Sequence, residues 1–552
     1  MVKDRSVLIL SSHPARGSDF WYTIFAYAKR GVPRIAAADR FPAQEGRACR
    51  DQLVGSRVPR DRSVGRSLRD RRPRLEICAR FVYTSLNLYG TLLAFRCKNF
   101  MALCQERCTM RKTEFDRTFY LKALIKRKHN GLVKIVTGIR RCGKSYLLTN
   151  LFKRHLLSDG VKEDHIVEIN LEDKKSAFLR NPNKLHEYVL GHLPNDGKWT
   201  YVFIDEIQFC RKVLLPGIVL KEVAPEDRDT VYVTFYDILN ELMKLPKVDV
   251  YVTGSNSRML SSDIATNFRD RGCEIRLFPL TFAEYYAASR YEKAEAFEHY
   301  LLWGGMPLAA IESDDGARAQ YLKDLFKKVY LKDVRERNKL RGDHVSECVF
   351  DALCSSVGSL TNPHKLVKTL DSQGHVRTTD RTMKKYLGYF EDAFLFSKAD
   401  RYDVRGKRYL EYPKKYYATD VGLRNARLNF RQIDEAHLME NVIYNELIAR
   451  GCNVDVGVVE VRRSDGQGGK TLYQLEIDFV VNVDVRKVYV QSAFRIPDEA
   501  KMIQETASLR ASGDFFRKIV VVSGFKPPQQ DDRGIVHVGV IPFLLDKSIL
   551  LG

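Results

Sequence analysis

No stretch of this 552-residue chain is long and apolar enough for a membrane helix. The longest uncharged apolar run, Phe81 to Phe95, falls short of the roughly 20 residues that a span requires, and Thr84, Ser85 and Asn87 interrupt it. No membrane partner is expected. Secretion is not expected either: after Met1–Arg5 the apolar run Ser6 to Leu10 is too brief for a signal core. Cysteine is sparse, 11 in all, and no two stand in a CxxC pair. Cys104 and Cys108 are four apart, but no cysteine or histidine pair follows them at zinc-site spacing. A zinc module is therefore excluded, and free thiols in a cytoplasmic protein are expected. Internal repeats and low-complexity runs are lacking after residue 110.

What is present is a soluble globular composition, 44% hydrophobic and 29% charged, which excludes wholesale disorder. The length exceeds one compact core and predicts three or four domains at about 150 residues each. The net charge is +22 and unevenly spread. Residues 1–109 hold 21 Lys+Arg against 9 Asp+Glu, with 18 arginines, 3 lysines and 5 of the cysteines. The run Arg57 to Arg74, RVPRDRSVGRSLRDRRPR, has neither helical nor strand period. This segment reads as a translated upstream region with the start at Met110, or else as a disordered basic arm for nucleic acid.

From Met110 onward short apolar runs alternate with helical patterns, which predicts a parallel α/β sheet. Strands are expected at Leu132–Thr137, Ile166–Leu171, Thr200–Ile204, Val248–Thr253 and Glu274–Phe278, and a helix at Lys144–His155. The first strand runs into Gly138-Ile-Arg-Arg-Cys-Gly143-Lys144-Ser145, the pattern GxxxxGK[ST]. Glycines let the backbone wrap tightly and turn its N–H groups toward phosphate oxygens. Lys144 would reach the β- and γ-phosphates, Ser145 would ligate Mg²⁺, and the helix N-terminus adds positive potential. Arg140, Arg141, Cys142 and the following Tyr146 complete the expected ATP-binding set. The strand Thr200–Ile204 ends in Asp205 and Glu206, an acid for the Mg²⁺ shell and a general base for the attacking water. Ser255 and Asn256, after the fourth strand, are placed to contact the γ-phosphate or orient water. Arg269 and Arg271, before the fifth, would stabilise transferred-phosphate charge in cis or in a neighbouring subunit.

The ordered motifs GIRRCGKSYLL, YVFIDEIQ, VYVTGSNSRML, LFPLTFAEYY and LLWGGMP, then KDLFKKVYLKDV, GYFEDAFLF, YPKKYYATDVGLRNA, MENVIYNELIARG and LEIDFVVN, resemble a family of bacterial and archaeal AAA-like ATPases. Its members carry a C-terminal domain of unknown function 4143. The resemblance runs from about Arg111 nearly to the end and leaves out residues 1–109. It implies a P-loop NTPase domain (110–285), a helical lid (286–340), a winged-helix segment (341–420) and a restriction-endonuclease-like α/β domain (421–552). It also implies Lys144 and Ser145 as phosphate and metal positions, with Asp205 and Glu206 as the Mg²⁺ and water-activating pair. The stretch between Glu206 and Thr253 departs from it as an insertion with a strand at Thr230–Phe235.

Two further sites follow from these assignments. Thr379–Asp392 would be a groove-reading helix, with Arg381, Lys384 and Lys385 as DNA-phosphate contacts. Glu446, Asp478 and Gln491 stand where a carboxylate nuclease would hold metal, but Gln491 is no acid and Ala493 replaces the expected lysine. A degenerate scaffold is expected there. The reading is an ATP-binding AAA-like protein that hydrolyses ATP; the alternative is a DNA-binding regulatory or defence module with ATP as a switch. A homo-oligomer stays open as a partner.

Overall fold

The structure, a computed structural model, describes residues 8–14, 20–26, 34–41, 114–228, 230–255, 272–338, 344–372, 378–464 and 470–552. Two compact units divide the chain, 1–109 and 110–552. In the first, β1 (Leu8–Pro14), β2 (Phe20–Ala26) and β3 (Arg34–Phe41) form an antiparallel meander.

The second unit opens on a five-stranded sheet of β4 (Val133–Thr137), β5 (Ile166–Asn170), β6 (Thr200–Asp205), β9 (Val248–Gly254) and β10 (Gly272–Arg276). The spatial order is β10-β4-β9-β6-β5, and every pair is parallel. Alternate residues face opposite layers, the period of a strand. Val133, Ile135, Val202, Ile204, Val250 and Val252 pack on one side with the helices Pro182–Gly191 and Phe235–Leu242. Val136, Tyr201, Phe203 and Tyr251 pack on the other with the helix Thr118–Lys126 and the helical run Lys144–Ser158. That run is longer than expected and passes through wide turns at Leu147–Phe152. Covering on both faces explains why these strands read as nearly continuous apolar runs.

The insertion forms a small hairpin, β7 (Val213–Leu214) against β8 (Tyr232–Val233). Its expected strand is shorter than 230–235, because Thr234 and Asp237 form a capping box that starts a helix at Phe235. Beyond the sheet come helices Phe282–Ala288, Lys293–Trp303 and Pro307–Ile311, and a helical run Asp315–Asn338.

Helices His344–Ser355, Pro363–Ser372 and Asp380–Asp392 then precede a hairpin of β12 (Phe396–Asp403) and β13 (Arg408–Ala418). The short β11 (Leu360–Thr361) pairs with β13. After the helix Glu435–Ala449, β14 (Asn453–Ser464), β15 (Lys470–Val483), β16 (Arg486–Ala493), β17 (Arg517–Val522), β18 (Gln529–Gln530) and β19 (Ile535–Gly539) extend the same sheet to nine strands. The parallel pair β12–β14 carries the sheet across residue 420, where a boundary was expected. Helix Glu435–Ala449 lies on one face and helix Glu499–Ala511 on the other.

A tight junction ties the helical part to this sheet. Buried Asp420 accepts from the backbone N–H of Gly305 at 2.6 Å and caps the helix Val421–Arg427 through Leu423 N at 2.9 Å. A Cβ on Gly422 would meet the Trp303 carbonyl oxygen at 1.9 Å, so only glycine permits this approach.

Candidate functional site

The loop after β4 is shaped by its glycines. Gly138 has φ +142°, and a Cβ there would stand 2.1 Å from the Leu277 carbonyl oxygen. Gly143 has φ +104° and immediately precedes the helix at Lys144. Two carbonyls of the loop are gripped from outside, Arg140 O by Tyr330 OH at 2.9 Å and Cys142 O by Arg117 at 3.4 Å, while Lys144 Nζ, within the loop, donates to Ile139 O at 3.3 Å. Holding carbonyls outward is how a loop frees amides for an anion.

Because β9 lies between β4 and β6, Thr253 of β9 reaches both acids at the end of β6. Asp205 Oδ1 accepts from Ser145 Oγ at 2.9 Å and from Thr253 Oγ1 at 2.5 Å. Burial pushes the Asp205 carboxyl above its usual range, against the opposing effect of those two hydroxyls. Glu206 takes a left-handed backbone, φ 54°, and its N–H donates to Thr253 Oγ1 at 2.8 Å. Its carboxylate lies 3.8 Å from Lys144 Nζ and accepts from Ser255 Oγ at 3.4 Å. Gln208 donates to the same carboxylate and to Ser255 Oγ, while its own Oε1 is buried without a partner. The structure thus brings together Lys144, Ser145, Asp205, Glu206 and Ser255. A serine hydroxyl and a carboxylate are hard oxygen donors and suit Mg²⁺, which usually keeps waters and takes few protein ligands. Among the described residues no group of three or more acids, histidines or cysteines forms a metal cluster.

The other loop residues point elsewhere. Arg140 donates to both oxygens of Asp333 at 2.9 Å and to Glu172. Arg141 is exposed, with φ 69°. The Cys142 thiol is buried against Leu277 O at 3.6 Å, and burial raises its pKa. Tyr146 turns outward, its hydroxyl donating to Glu114 at 3.2 Å. Asn256, Arg269 and Arg271 lie outside the described residues. Sequence reasoning gave no role to Gln208, Tyr330 or Asp333. The Gln in YVFIDEIQ, two residues past the acid, was the one local signal.

On the helix Asp380–Asp392, capped by Thr379, the three cations Arg381, Lys384 and Lys385 are exposed together. Lys384 Nζ stands 5.1 Å over the Tyr412 ring on the adjacent hairpin.

In the C-terminal sheet the expected acid is corrected. Glu446 faces away and pairs with Arg450 at 2.7 Å; Asn441 instead holds the Ala418 backbone. One and a half turns earlier, Glu440 faces Asp478. Between them sits buried Lys415, 2.8 Å from Glu440, 2.8 Å from Glu476 and 3.2 Å from Asp478. Asp478 also accepts from Ser492 N at 2.9 Å, and its own N–H donates to Gln491 Oε1 at 3.3 Å. Burial first, and then Asp478, push Glu440 up to about 7 against the pull of Lys415. The Lys415 ammonium, from β13, thus fills the centre of these three acids.

Models of known families match in two places: an AAA domain over residues 130–286, and a domain of unknown function, DUF8612, over 294–434. The number expected for the second, 4143, is not the one matched. A Haemophilus influenzae protein described as uncharacterized is 30% identical over 441 residues, 79% of this chain and 100% of its own length. A second, from Methanocaldococcus jannaschii, is 24% identical over 432 residues, 74% of this chain and 87% of its own. Among solved structures, a Walker-type ATPase of Pyrococcus abyssi aligns with TM-score 0.39 and 14% identity, covering 58% of this chain and 97% of that one. The ORC1 protein of Aeropyrum pernix, in complex with DNA, aligns with TM-score 0.22 and 13% identity, covering 57% and 93%.

Proposed function

The chain belongs to one family with the Haemophilus influenzae protein, a family bearing an AAA domain of P-loop type, and we propose that it binds Mg-ATP in the 138–145 loop and hydrolyses it. The observation that carries this reading is the convergence of Lys144, Ser145, Asp205 and Glu206 at the ends of β4 and β6. Gly138 and Gly143 let the loop close round phosphate, and Lys144 leaves its Ile139 and Glu206 contacts to meet the β- and γ-phosphates. Magnesium, when bound with ATP, supplies charge that offsets the phosphates, and Ser145 and Asp205 would hold it. Glu206, oriented by Gln208 and Ser255, takes the proton of the attacking water. Arg269 and Arg271 remain the proposed source of charge on the transferred phosphate. The test is equilibrium binding of ATP with Mg²⁺. Wild type binds, and Lys144→Ala abolishes it; equal binding by both would remove the loop from the reading.

A second activity is supported by the exposed cations of helix Asp380–Asp392. Three helices, a short strand and a hairpin follow one another in the order of a winged helix, and we read this part as a DNA-binding module. Arg381, Lys384 and Lys385 would contact phosphates, so affinity for duplex DNA falls steeply with salt. Replacing all three by Gln should flatten that dependence. Duplex binding that is unchanged in the triple variant would assign this face to something other than DNA. We read the C-terminal sheet as an endonuclease-like scaffold without cleavage, because Lys415 occupies its acidic centre.

A further inference from the structure

The phosphate loop is held by two separate parts of the molecule. On one side Arg117, ahead of the helix Thr118–Lys126, donates to Cys142 O and to Phe278 O at 3.1 Å and is anchored by Glu284 at 2.9 Å. Cys142 and Phe278 follow strands of the five-stranded sheet, and Glu284 stands on the helix Phe282–Ala288. On the other side the helical run Asp315–Asn338 grips a single loop residue twice. Tyr330, buried, gives its hydroxyl hydrogen to Arg140 O at 2.9 Å, and Asp333 takes the Arg140 guanidinium at 2.9 Å through both carboxylate oxygens. Glu172, just past β5, takes the other end of the same guanidinium. Arg140 thus stands in the phosphate loop with its charge committed to two carboxylates. A residue whose carbonyl and side chain are both fixed by one helix cannot change its backbone angles unless that helix shifts or lets go.

We propose that Tyr330 and Asp333 are positioning residues for the phosphate loop: they tie Arg140 to the 315–338 run, and a bound triphosphate competes with Asp333 for its guanidinium. This rests on the Mg-ATP reading of the same loop. Nucleotide and Asp333 compete for one guanidinium, so nucleotide binding loosens the grip of the 315–338 run, and the grip lowers apparent affinity by the fraction of chains in which Arg140 is released. Asp333 does not touch phosphate; it acts through Arg140. Tyr330 carries no charge and sets only the backbone.

The test combines two measurements on the full chain. Without nucleotide, hydrogen exchange of the amides of residues 140–143 should quicken about three- to tenfold in both Asp333→Asn and Tyr330→Phe. A fluorescent, non-hydrolysable ATP analogue with Mg²⁺ should bind Asp333→Asn about three- to tenfold more tightly than wild type, and Tyr330→Phe within about twofold of it. Turnover in Asp333→Asn should show KM falling more than kcat, which a merely damaged loop would not give. Tyr330→Phe keeps its ring in the core and carries the exchange measurement if Asp333→Asn melts early. Wild-type analogue binding with unmoved exchange in both variants, or weaker binding by Asp333→Asn, overturns the proposal and leaves the ATP reading standing. Quickened exchange in both variants, alongside a wild type that does not bind the analogue, upholds the loop contacts and overturns the ATP reading instead.

Discussion

Thr253 shows how much of the site hangs on one hydroxyl. It donates to Asp205 Oδ1 and accepts from the Glu206 N–H, so it fixes together the proposed metal ligand and the backbone of the proposed base. Thr253→Val keeps the shape and removes both bonds. A buried N–H left unpaired costs about 1–3 kcal/mol, so the urea midpoint should fall accordingly, and ATP turnover should fall with it. An unchanged midpoint with unchanged turnover would mean that the hydroxyl is idle. Lys144, Ser145, Asp205 and Glu206 were legible in the sequence because each sits in a short local pattern next to its own strand. Thr253 and Ser255 were legible only as polar residues at a strand end; their bonds depend on β9 being inserted between β4 and β6, which no local pattern encodes. Gln208 and Asp333 were not legible, since their partners are set by a turn and by a helix distant in sequence. Arg140, Arg141, Cys142 and Tyr146 lie within the motif, but the pattern does not say which side chains turn outward.

Elements meet tightly where Gly304 and Gly422 let the helix Lys293–Trp303 approach the helix Val421–Arg427 around Asp420, which also accepts from the Gly305 N–H. Burial raises the Asp420 carboxyl to about 6, above the unfolded value of 3.8, in opposition to its backbone N–H donors. The folded chain therefore holds this proton more tightly than the unfolded one. Its contribution is present in full below about pH 3.8 and is lost as pH rises through about 6, on the order of 2–3 kcal/mol. In urea titrations from pH 4 to 7, the wild-type minus Asp420→Asn difference should shrink as pH rises; a flat difference would contradict the shift. The second junction is the acidic centre of the nine-stranded sheet. Lys415→Met leaves Glu440, Glu476 and Asp478 without their cation and should cost about 3–5 kcal/mol in urea unfolding. Wild type should not nick plasmid with Mg²⁺ or Mn²⁺, and cleavage lost in Asp478→Ala would overturn the scaffold reading. The helix at Thr379–Asp392 was legible in the sequence. Lys415 was not: YPKKYY reads as one strand of a hairpin, and its acids lie 25 to 63 residues further on.

At the scale of the whole molecule, the unit 110–552 joins a parallel sheet with a phosphate loop to a nine-stranded sheet through a helical middle. The parallel sheet was legible because apolar strands covered on both faces alternate with helices. The continuity of the second sheet was not, since the β12–β14 pairing spans the helix Glu435–Ala449 and crosses the boundary that motif order drew at residue 420. The convergence of side chains at the ends of β4 and β6 is proposed to hydrolyse ATP. Single-turnover hydrolysis of radiolabelled ATP with Mg²⁺, in wild type and Glu206→Gln, tests it most directly. Wild type should release phosphate, and Glu206→Gln should bind ATP as tightly while hydrolysing it about 10²-fold or more slowly, as loss of a general base requires. Equal rates in the two proteins, or no phosphate release by a wild type that binds ATP, would contradict it.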